Sequence, residues 1–389
     1  MAARALALAC LVAAAGVGAE PFTPRQDDEV VERLPLRAGS AGERARQRDE
    51  QRLLSQRPHD LHMALQAARS SIERARQRGD PRELGTAQAW LQPWWNDPAA
   101  PPAARLLKAI VLQARHEFDG ALSELDRVLR ERPLPTALQA QAELTRASLL
   151  QVRGRWHEAR EGCERLAAPP LSLPHGHACL AELDSLQGRG AGSAARLARL
   201  DRDPAAPHAW LLLLQAELAE REGRRDAGRL YAQALQLSGD LYTRAAYADW
   251  LLEAGRLSEA ATAAQSPPAE RLELLPDALL LRLAIAWQRQ NHPDAARAAT
   301  EMQSRFDAAA LRGDATHARE RARFALDVRP DAAEALRQAT LNWGQQREPA
   351  DALLLLRAAQ AARQPQAAEP VRTFMREQGL RDRRLQEAG

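Results

Sequence analysis

A small residue that follows a turn recurs every 32 to 38 positions along much of this 389-residue chain. The pattern is read in the stretches 117–121, 155–159, 224–228, 256–260 and 293–296. Each stretch follows one helical run and opens another. Such self-similarity is typical of a solenoid of helix pairs, in which each unit contacts mainly its neighbours. The spacing therefore predicts an all-α fold, an α-solenoid.

Prolines and glycines set the expected helix ends, because proline suits the first turn of a helix and glycine suits the position just past its end. From about residue 59 we expect the following pairs: 61–78 with 83–91, 102–115 with 119–131, 136–153 with 156–167, 176–188 with 191–200, 208–222 with 225–237, 241–254 with 257–265, and 276–290 with 293–306.

Small and bulky residues fall at fixed positions within these units. The positions are Ala109, Leu112, Ala121, Leu125, Val128 and Pro133 in a unit starting at Pro102; Ala147, Leu150, Ala159 and Leu166 in one starting at Ala140; Ala284, Trp287 and Ala296 from Asp277; and Thr340, Trp343, Ala352, Leu356 and Ala359 from Ala333. This pattern resembles the tetratricopeptide repeat (TPR) family. The resemblance implies a right-handed superhelix of about eight helix pairs. The small residues let two helices approach where they cross.

The match covers most of residues 60–364 and is weakest at 305–330, where the expected inner helix is too short. We predict one prolonged helix from 293 to about 312. We divide the chain into TPR-like repeats at 59–304, then an irregular join, the last TPR-like repeats and a C-terminal capping helix at 305–389. Stretches 305–314 and 342–351 resemble a group of secreted bacterial TPR proteins often encoded beside a membrane protein of the HupE/UreJ kind. That resemblance implies a role in the cell envelope but does not indicate a partner or an activity.

Residues 1–19 have the pattern of a secretion signal. Arg4 precedes an apolar run from Ala5 to Val17, and small residues up to Ala19 offer a cleavage site. We therefore expect a mature chain in the periplasm or secreted, with a lipoprotein modified at Cys10 as the alternative. Residues 20–58 contain several prolines and read as an extended leader with a short helix at about 43–54, or as disorder. No later segment reaches the ~18 apolar residues of a membrane helix, so we expect no membrane insertion of the mature chain.

Charge argues against nucleic acid as a partner. The formal charge of +3 falls to +2 once Arg4 is removed with the signal, and basic and acidic residues interleave along the helices. That is the pattern of solvated helix faces. Catalytic motifs are also missing from the sequence: there is no nucleophile elbow, phosphate-binding glycine loop or zinc-protease helix. We expect no enzyme activity and no cofactor.

Two cysteines remain in the mature chain, Cys163 and Cys179. With a turn near Leu171 they lie on opposing antiparallel helices, and an oxidising compartment would let them pair. The alternative is two buried thiols that never meet. His175 and His177 raise a second alternative, a metal site, although alternate spacing suits a helix poorly.

TPR proteins bind partners through the inner helix of each pair, and the resemblance implies the same groove here. Its second, fifth, ninth and twelfth positions carry Gln66, Arg69, Glu73, Arg76, Gln141, Gln151, Trp210, Glu217, Glu220, Tyr242 and Asp249. Such a polar lining suits an extended peptide. The resulting hypothesis is a non-enzymatic periplasmic scaffold for an envelope protein or peptide. The alternative is a small-ligand or metal-handling accessory of a membrane transporter. A cluster at Trp90, Trp94 and Trp95 is a secondary candidate anchor, with packing between repeats as the alternative reading.

Overall fold

A computed structural model describes residues 41–265, 271–313 and 317–388, together with Thr23, Pro24, Gln26 and Glu29. The predicted signal peptide and most of residues 20–40 lie outside this part of the chain. The described residues form twenty α-helices and two short 3₁₀ turns, and no strand occurs among them. The prediction of an all-α solenoid is confirmed.

The helices follow one another with short connections. They are α1 (Ala41–Gln56), α2 (Leu61–Arg78), α3 (Arg82–Trp95), α4 (Pro102–Ala114), α5 (Phe118–Arg130), α6 (Thr136–Val152), α7 (Trp156–Ala167), α8 (Pro174–Leu186), α9 (Gly190–Leu200), α10 (His208–Arg221), α11 (Ala227–Ser238), α12 (Leu241–Glu253), α13 (Leu257–Ala264), α14 (Asp277–Gln290), α15 (Ala295–Leu311), α16 (Ala318–Asp327), α17 (Ala332–Gln345), α18 (Pro349–Ala361), α19 (Glu369–Gln378) and α20 (Arg383–Ala388).

Local sequence explains where several helices begin. The carboxylates of Asp60, Asp240 and Asp331 accept hydrogen bonds from the amides three residues later, at 2.8–3.0 Å. Each satisfies one of the amide groups that the first turn of a helix leaves without a partner. Proline opens α4, α8 and α18, where its missing amide hydrogen costs nothing.

Nearly all successive helices pack against each other, and a second set of contacts gives the solenoid its curvature. The even-numbered helices from α2 to α18 touch one another in an almost unbroken series, whereas the odd-numbered helices mainly contact their even-numbered neighbours. The even-numbered helices therefore form the inner, shorter side of the superhelix. The odd-numbered helices form the outer side.

Small residues lie where paired helices cross. Ala121, Ala159 and Ala260 are fully buried. Gly228 is more demanding, because a Cβ atom there would overlap the ring of Trp250, whose Cζ2 atom would be 2.9 Å away. The recurring small residue is thus a steric requirement of helix packing.

The repeat pattern changes after α15, which is 17 residues long and corresponds to the prolonged helix predicted at 293–312. Next, α16 joins the inner row beside α14, and its Phe324 ring packs edge-on against Phe306 of α15, with centroids 5.5 Å apart. The alternation of inner and outer helices continues through this region, so α17 is an outer helix. The unit predicted from Ala333 is therefore wrong in taking α17 as an inner helix, and Thr340, expected at a tight crossing, is exposed. The other predicted packing positions of that unit are buried as expected: Trp343, Ala352, Leu356 and Ala359.

Successive turns of the superhelix touch directly. The turn after α2 meets the starts of α12 and α14, where a Cβ atom on Gly79 would lie 2.6 Å from Leu241 and 2.8 Å from Pro276. Further along, the amide of Arg347 donates to the carbonyl of Val152 at 2.8 Å. A single core cluster accordingly contains residues from 106–186 and from 322–385.

Candidate functional site on the inner face

All eleven residues proposed to line a groove belong to even-numbered helices. The set comprises four residues on α2 (Gln66, Arg69, Glu73, Arg76), two on α6 (Gln141, Gln151), three on α10 (Trp210, Glu217, Glu220) and two on α12 (Tyr242, Asp249). These helices are the ones that form the inner side of the superhelix. Tertiary packing then divides the set into residues that are open and residues already engaged within the chain.

The α2 residues are open. Gln66, Arg69, Glu73 and Arg76 are all exposed. The end of α2 lies against the start of α12, where the Tyr242 side chain is 58% exposed. We call these five residues the open patch. Helices five repeats apart along the chain meet here because one superhelical turn brings them together.

An electrostatic interaction links α2 and α12, the two helices that carry the open patch. Burial alone would raise the pKa of Asp240, which caps α12. Hydrogen bonds from Thr243 and Ser238, together with the positive charge of Arg76, lower this pKa instead. Arg76 therefore lies close enough to the start of α12 for their charges to interact.

Glu220 and Asp249 are engaged within the chain. Glu220 accepts hydrogen bonds from the Tyr231 hydroxyl and from Arg384 of α20, both at 2.6 Å. Asp249 binds Arg282 of α14 at 2.5 Å and Arg323 of α16 at 2.6 Å.

The pKa shifts of these two carboxyls differ because their surroundings differ. Burial raises the pKa of Glu220 despite the charge of Arg384. Burial also acts to raise the pKa of Asp249, but Arg282 and Arg323 outweigh it and lower the pKa. Asp249 therefore works as an ionised link between three inner helices.

Trp210 is half-buried and packs against core residues, with its ring centroid 6.2 Å from that of His175. Gln141 is exposed near the start of α6 and makes no side-chain contact with the other predicted groove residues that the structure describes. Neither residue joins the open patch.

A second group of inner residues comes together where α6, α8, α10 and α12 meet. The Gln151 amide donates to Glu182 at 2.5 Å, and the Tyr242 hydroxyl donates to Glu217 at 3.2 Å. Arg221 approaches Glu217 only to 3.9 Å, because its guanidinium donates to the Ser185 hydroxyl at 2.7 Å.

Glu348, at the start of α18, faces this group from the next turn of the superhelix. Its negative charge adds to the raised pKa of both Glu182 and Glu217. We call Glu182, Glu217 and Glu348 the carboxylate cluster. Two of its members come from the middle repeats and the third from the C-terminal helices.

Burial is the main cause of the unusual titration in the cluster. It raises the pKa of Glu217 to about 8, and the charge of Arg221 offsets only part of that rise. Glu182 and Glu220 add to it as neighbouring negative charges. Burial also raises the pKa of Glu182, against the hydrogen bond from Gln151.

Sequence reasoning missed Glu182, Glu348 and Arg384. The same positional rule applied to a unit starting at Pro174 would have identified Glu182 as its ninth residue. The glycines at 188, 190 and 192 obscure the repeat pattern of that unit. Glu348 and Arg384 carry no such signal, because they reach the middle repeats only through contact between superhelical turns.

Cys163 of α7 and Cys179 of α8 form a disulfide, with their Cα atoms 5.7 Å apart. Gly176 permits this approach, since a Cβ atom there would lie 2.7 Å from the Cys163 carbonyl oxygen. Burial lowers the pKa of both His175 and His177. Among the described residues, no group of three His, Cys, Asp or Glu side chains is arranged to hold a metal ion.

The tryptophan cluster contributes to packing. Trp90 is 2% exposed, and Trp95 is held by Lys108, whose ammonium group lies 5.4 Å from the ring centroid and donates to the Trp95 carbonyl. These tryptophans therefore pack where α3 meets α4.

No protein-family model matches the chain, and a search among curated proteins finds none similar to it. Within residues 41–265, 271–313 and 317–388, every helix falls short of the length and apolar character needed to cross a membrane.

Proposed function

We propose that this protein is a non-enzymatic scaffold of the bacterial envelope, of the tetratricopeptide type, that binds an extended segment of another envelope protein on its inner face. The open patch carries the proposal. Two arginines, a glutamate and a glutamine extend along α2 and end beside an exposed tyrosine on α12. A row of hydrogen-bonding groups with an aromatic residue at its end suits an extended peptide.

The rest of the inner face supports this location. Glu220 and Asp249 already have charged partners within the chain, and Trp210 is packed against the core. Their side chains are not free to bind a partner without breaking internal contacts. The open patch keeps its side chains exposed, and the four residues on α2 can bind without breaking contacts to other helices. Tyr242 presents its ring while its hydroxyl donates to Glu217.

The test is cross-linking of the tagged mature protein in intact cells, followed by identification of co-purifying proteins by mass spectrometry. The probe variant carries Arg76→Ala with Tyr242→Ala. The matched control carries Arg229→Ala with Leu237→Ala, which removes one exposed cation and one exposed apolar side chain from outer helix α11. Circular dichroism verifies that each variant keeps its helix content.

One dominant envelope protein that is retained by the control and lost from the probe variant would support the proposal. Equal recovery of that protein with both variants would place the interface elsewhere and refute the role of the open patch. Absence of any partner above background would refute the scaffold function itself.

The envelope location has its own test. We expect N-terminal sequencing of the protein purified from a native-like host to begin at Glu20, because cleavage follows Ala19. A mature protein that still begins at Met1, recovered with cytoplasmic markers, would exclude an envelope role.

A further inference from the structure

A clasp joins two distant parts of the superhelix. The loop between α17 and α18 docks on the turn after α6, where the Arg347 amide donates to the Val152 carbonyl and Arg153 donates to the Gln345 carbonyl at 3.1 Å. The segment after α19 docks on the next turn, where the Arg381 amide donates to the Leu186 carbonyl at 2.9 Å. We call these contacts the clasp.

Three successive turns of the middle repeats receive the C-terminal helices. Each turn has a glycine with φ between +67° and +75°: Gly154, Gly188 and Gly223. A Cβ atom at these positions would lie 2.7 Å from Phe374, Arg381 and Arg383, respectively. The clasp is therefore a close-fitting interface between successive turns of the superhelix.

The carboxylate cluster lies directly beside this interface. Glu348 follows Arg347 in the sequence, and Gln151, which donates to Glu182, precedes Val152. Closing the clasp thus brings Glu348 towards Glu182 and Glu217. When all three carry charge, their mutual repulsion opposes closure.

The arginines near the carboxylate cluster offset its negative charge to different extents. Arg319 of α16 binds Glu348 at 2.5 Å but also binds Asp351 at 2.6 Å, so its charge is shared. On α10, Arg221 is the cation nearest to Glu217. Further neighbours are Glu220 on α10, which is paired with Arg384 of α20 and Tyr231 of α11, and the uncharged Tyr242 on α12. Arg153 and Arg347 lie at the clasp itself.

We propose that the clasp is a pH-sensitive closure of the superhelix, held shut when Glu182 and Glu217 are protonated and loosened when both become charged. The sign follows from the direction of the shifts. Both carboxyls have a raised pKa in the closed structure, so closure is favoured at low pH and weakens as pH rises towards the raised values. Each proton lost on opening changes the closing equilibrium by about tenfold per pH unit within that window.

Hydrogen exchange of the full-length mature protein tests this directly. Protection factors, corrected for the intrinsic pH dependence of exchange, are measured between pH 5 and pH 9 for the amides of Arg347 and Arg381. We expect protection to fall by at least tenfold across the range. Amides in α14, which lies in a separate core cluster, serve as the internal reference and should keep their protection.

Isosteric variants separate the clasp from general stability. Glu217→Gln and Glu182→Gln mimic the protonated forms, so each should flatten the pH profile at Arg347 and Arg381 and retain protection at pH 9. The control is Glu164→Gln, an exposed glutamate of outer helix α7, which should reproduce the wild-type profile.

Two results would overturn the proposal. The first is clasp protection that does not change between pH 5 and pH 9 in the wild-type protein. The second is a pH profile in Glu217→Gln and Glu182→Gln that is indistinguishable from wild type. Neither result depends on partner binding, so the clasp and the scaffold function can fail separately.

Discussion

Replacement of Gly228 tests the steric basis of the repeat most directly. The glycine is the second residue of α11, and any Cβ atom there enters the space of the Trp250 ring on α12. Atoms in ordinary contact are about 3.5–4.0 Å apart. In Gly228→Ala the ring must therefore withdraw by about 1 Å or more, and overpacking of this kind costs about 1–3 kcal/mol.

The matched control is Gly192→Ala. Gly192 is the third residue of outer helix α9, and a Cβ atom there meets nothing within 4 Å. Both substitutions gain helix propensity, by up to about 1 kcal/mol. Because that gain is shared, the difference in unfolding free energy between the two variants isolates the clash. We expect Gly228→Ala to be the less stable by about 1–3 kcal/mol.

Urea denaturation followed by far-ultraviolet circular dichroism measures this difference. A third variant, Gly228→Ala with Trp250→Leu, completes a double-mutant cycle with the single Trp250→Leu change. Since leucine removes the ring that causes the clash, we expect a favourable coupling of about 1–3 kcal/mol. Equal stability of Gly228→Ala and Gly192→Ala, or zero coupling in the cycle, would refute the steric explanation.

Further predictions concern the disulfide, the α7–α8 contact and the inner ion pairs. Replacing Cys163 and Cys179 with alanine should lower the unfolding free energy by about 3 kcal/mol, as expected for a closed loop of this length, and reductant should destabilise only the wild-type protein in urea denaturation. Gly176→Ala should destabilise more than 3 kcal/mol in the same assay, since its Cβ would press on backbone that cannot rotate away. Asp249→Asn should lower the unfolding free energy by about 1–2 kcal/mol at neutral pH. Because the pKa of Asp249 is lowered, this difference from wild type should disappear as pH falls through that pKa. The control Asp119→Asn changes a side chain that is 88% exposed and should alter the unfolding free energy by less than about 0.5 kcal/mol.

Much of the fold could be read from the sequence because its determinants are local. Prolines and capping aspartates mark helix starts, and small residues mark the crossings within a pair. The predicted helix pairs from 61 to 306 accordingly match α2–α15 closely. Each repeat contacts mainly its neighbours, so short-range patterns were enough.

The last repeats show where local patterns fail. Residues 333–345 carry the small and bulky residues expected of an inner helix, yet α17 is an outer helix. After the prolonged α15, helix α16 takes the inner place beside α14, which leaves α17 on the outer side. Nothing within 333–345 records that order, because the helices upstream set it.

The candidate site shows the same difference between local and long-range determinants. The sequence by itself placed the eleven candidate residues on inner helices, through the positional rule that the repeat resemblance implies. Only the tertiary structure decided their surroundings: Tyr242 is exposed beside α2, Glu220 is bound by Arg384, and Glu217 faces Glu348. The physical reason is that these encounters join residues more than a hundred positions apart, through the meeting of superhelical turns. The pitch that brings the turns together is the sum of many small packing angles.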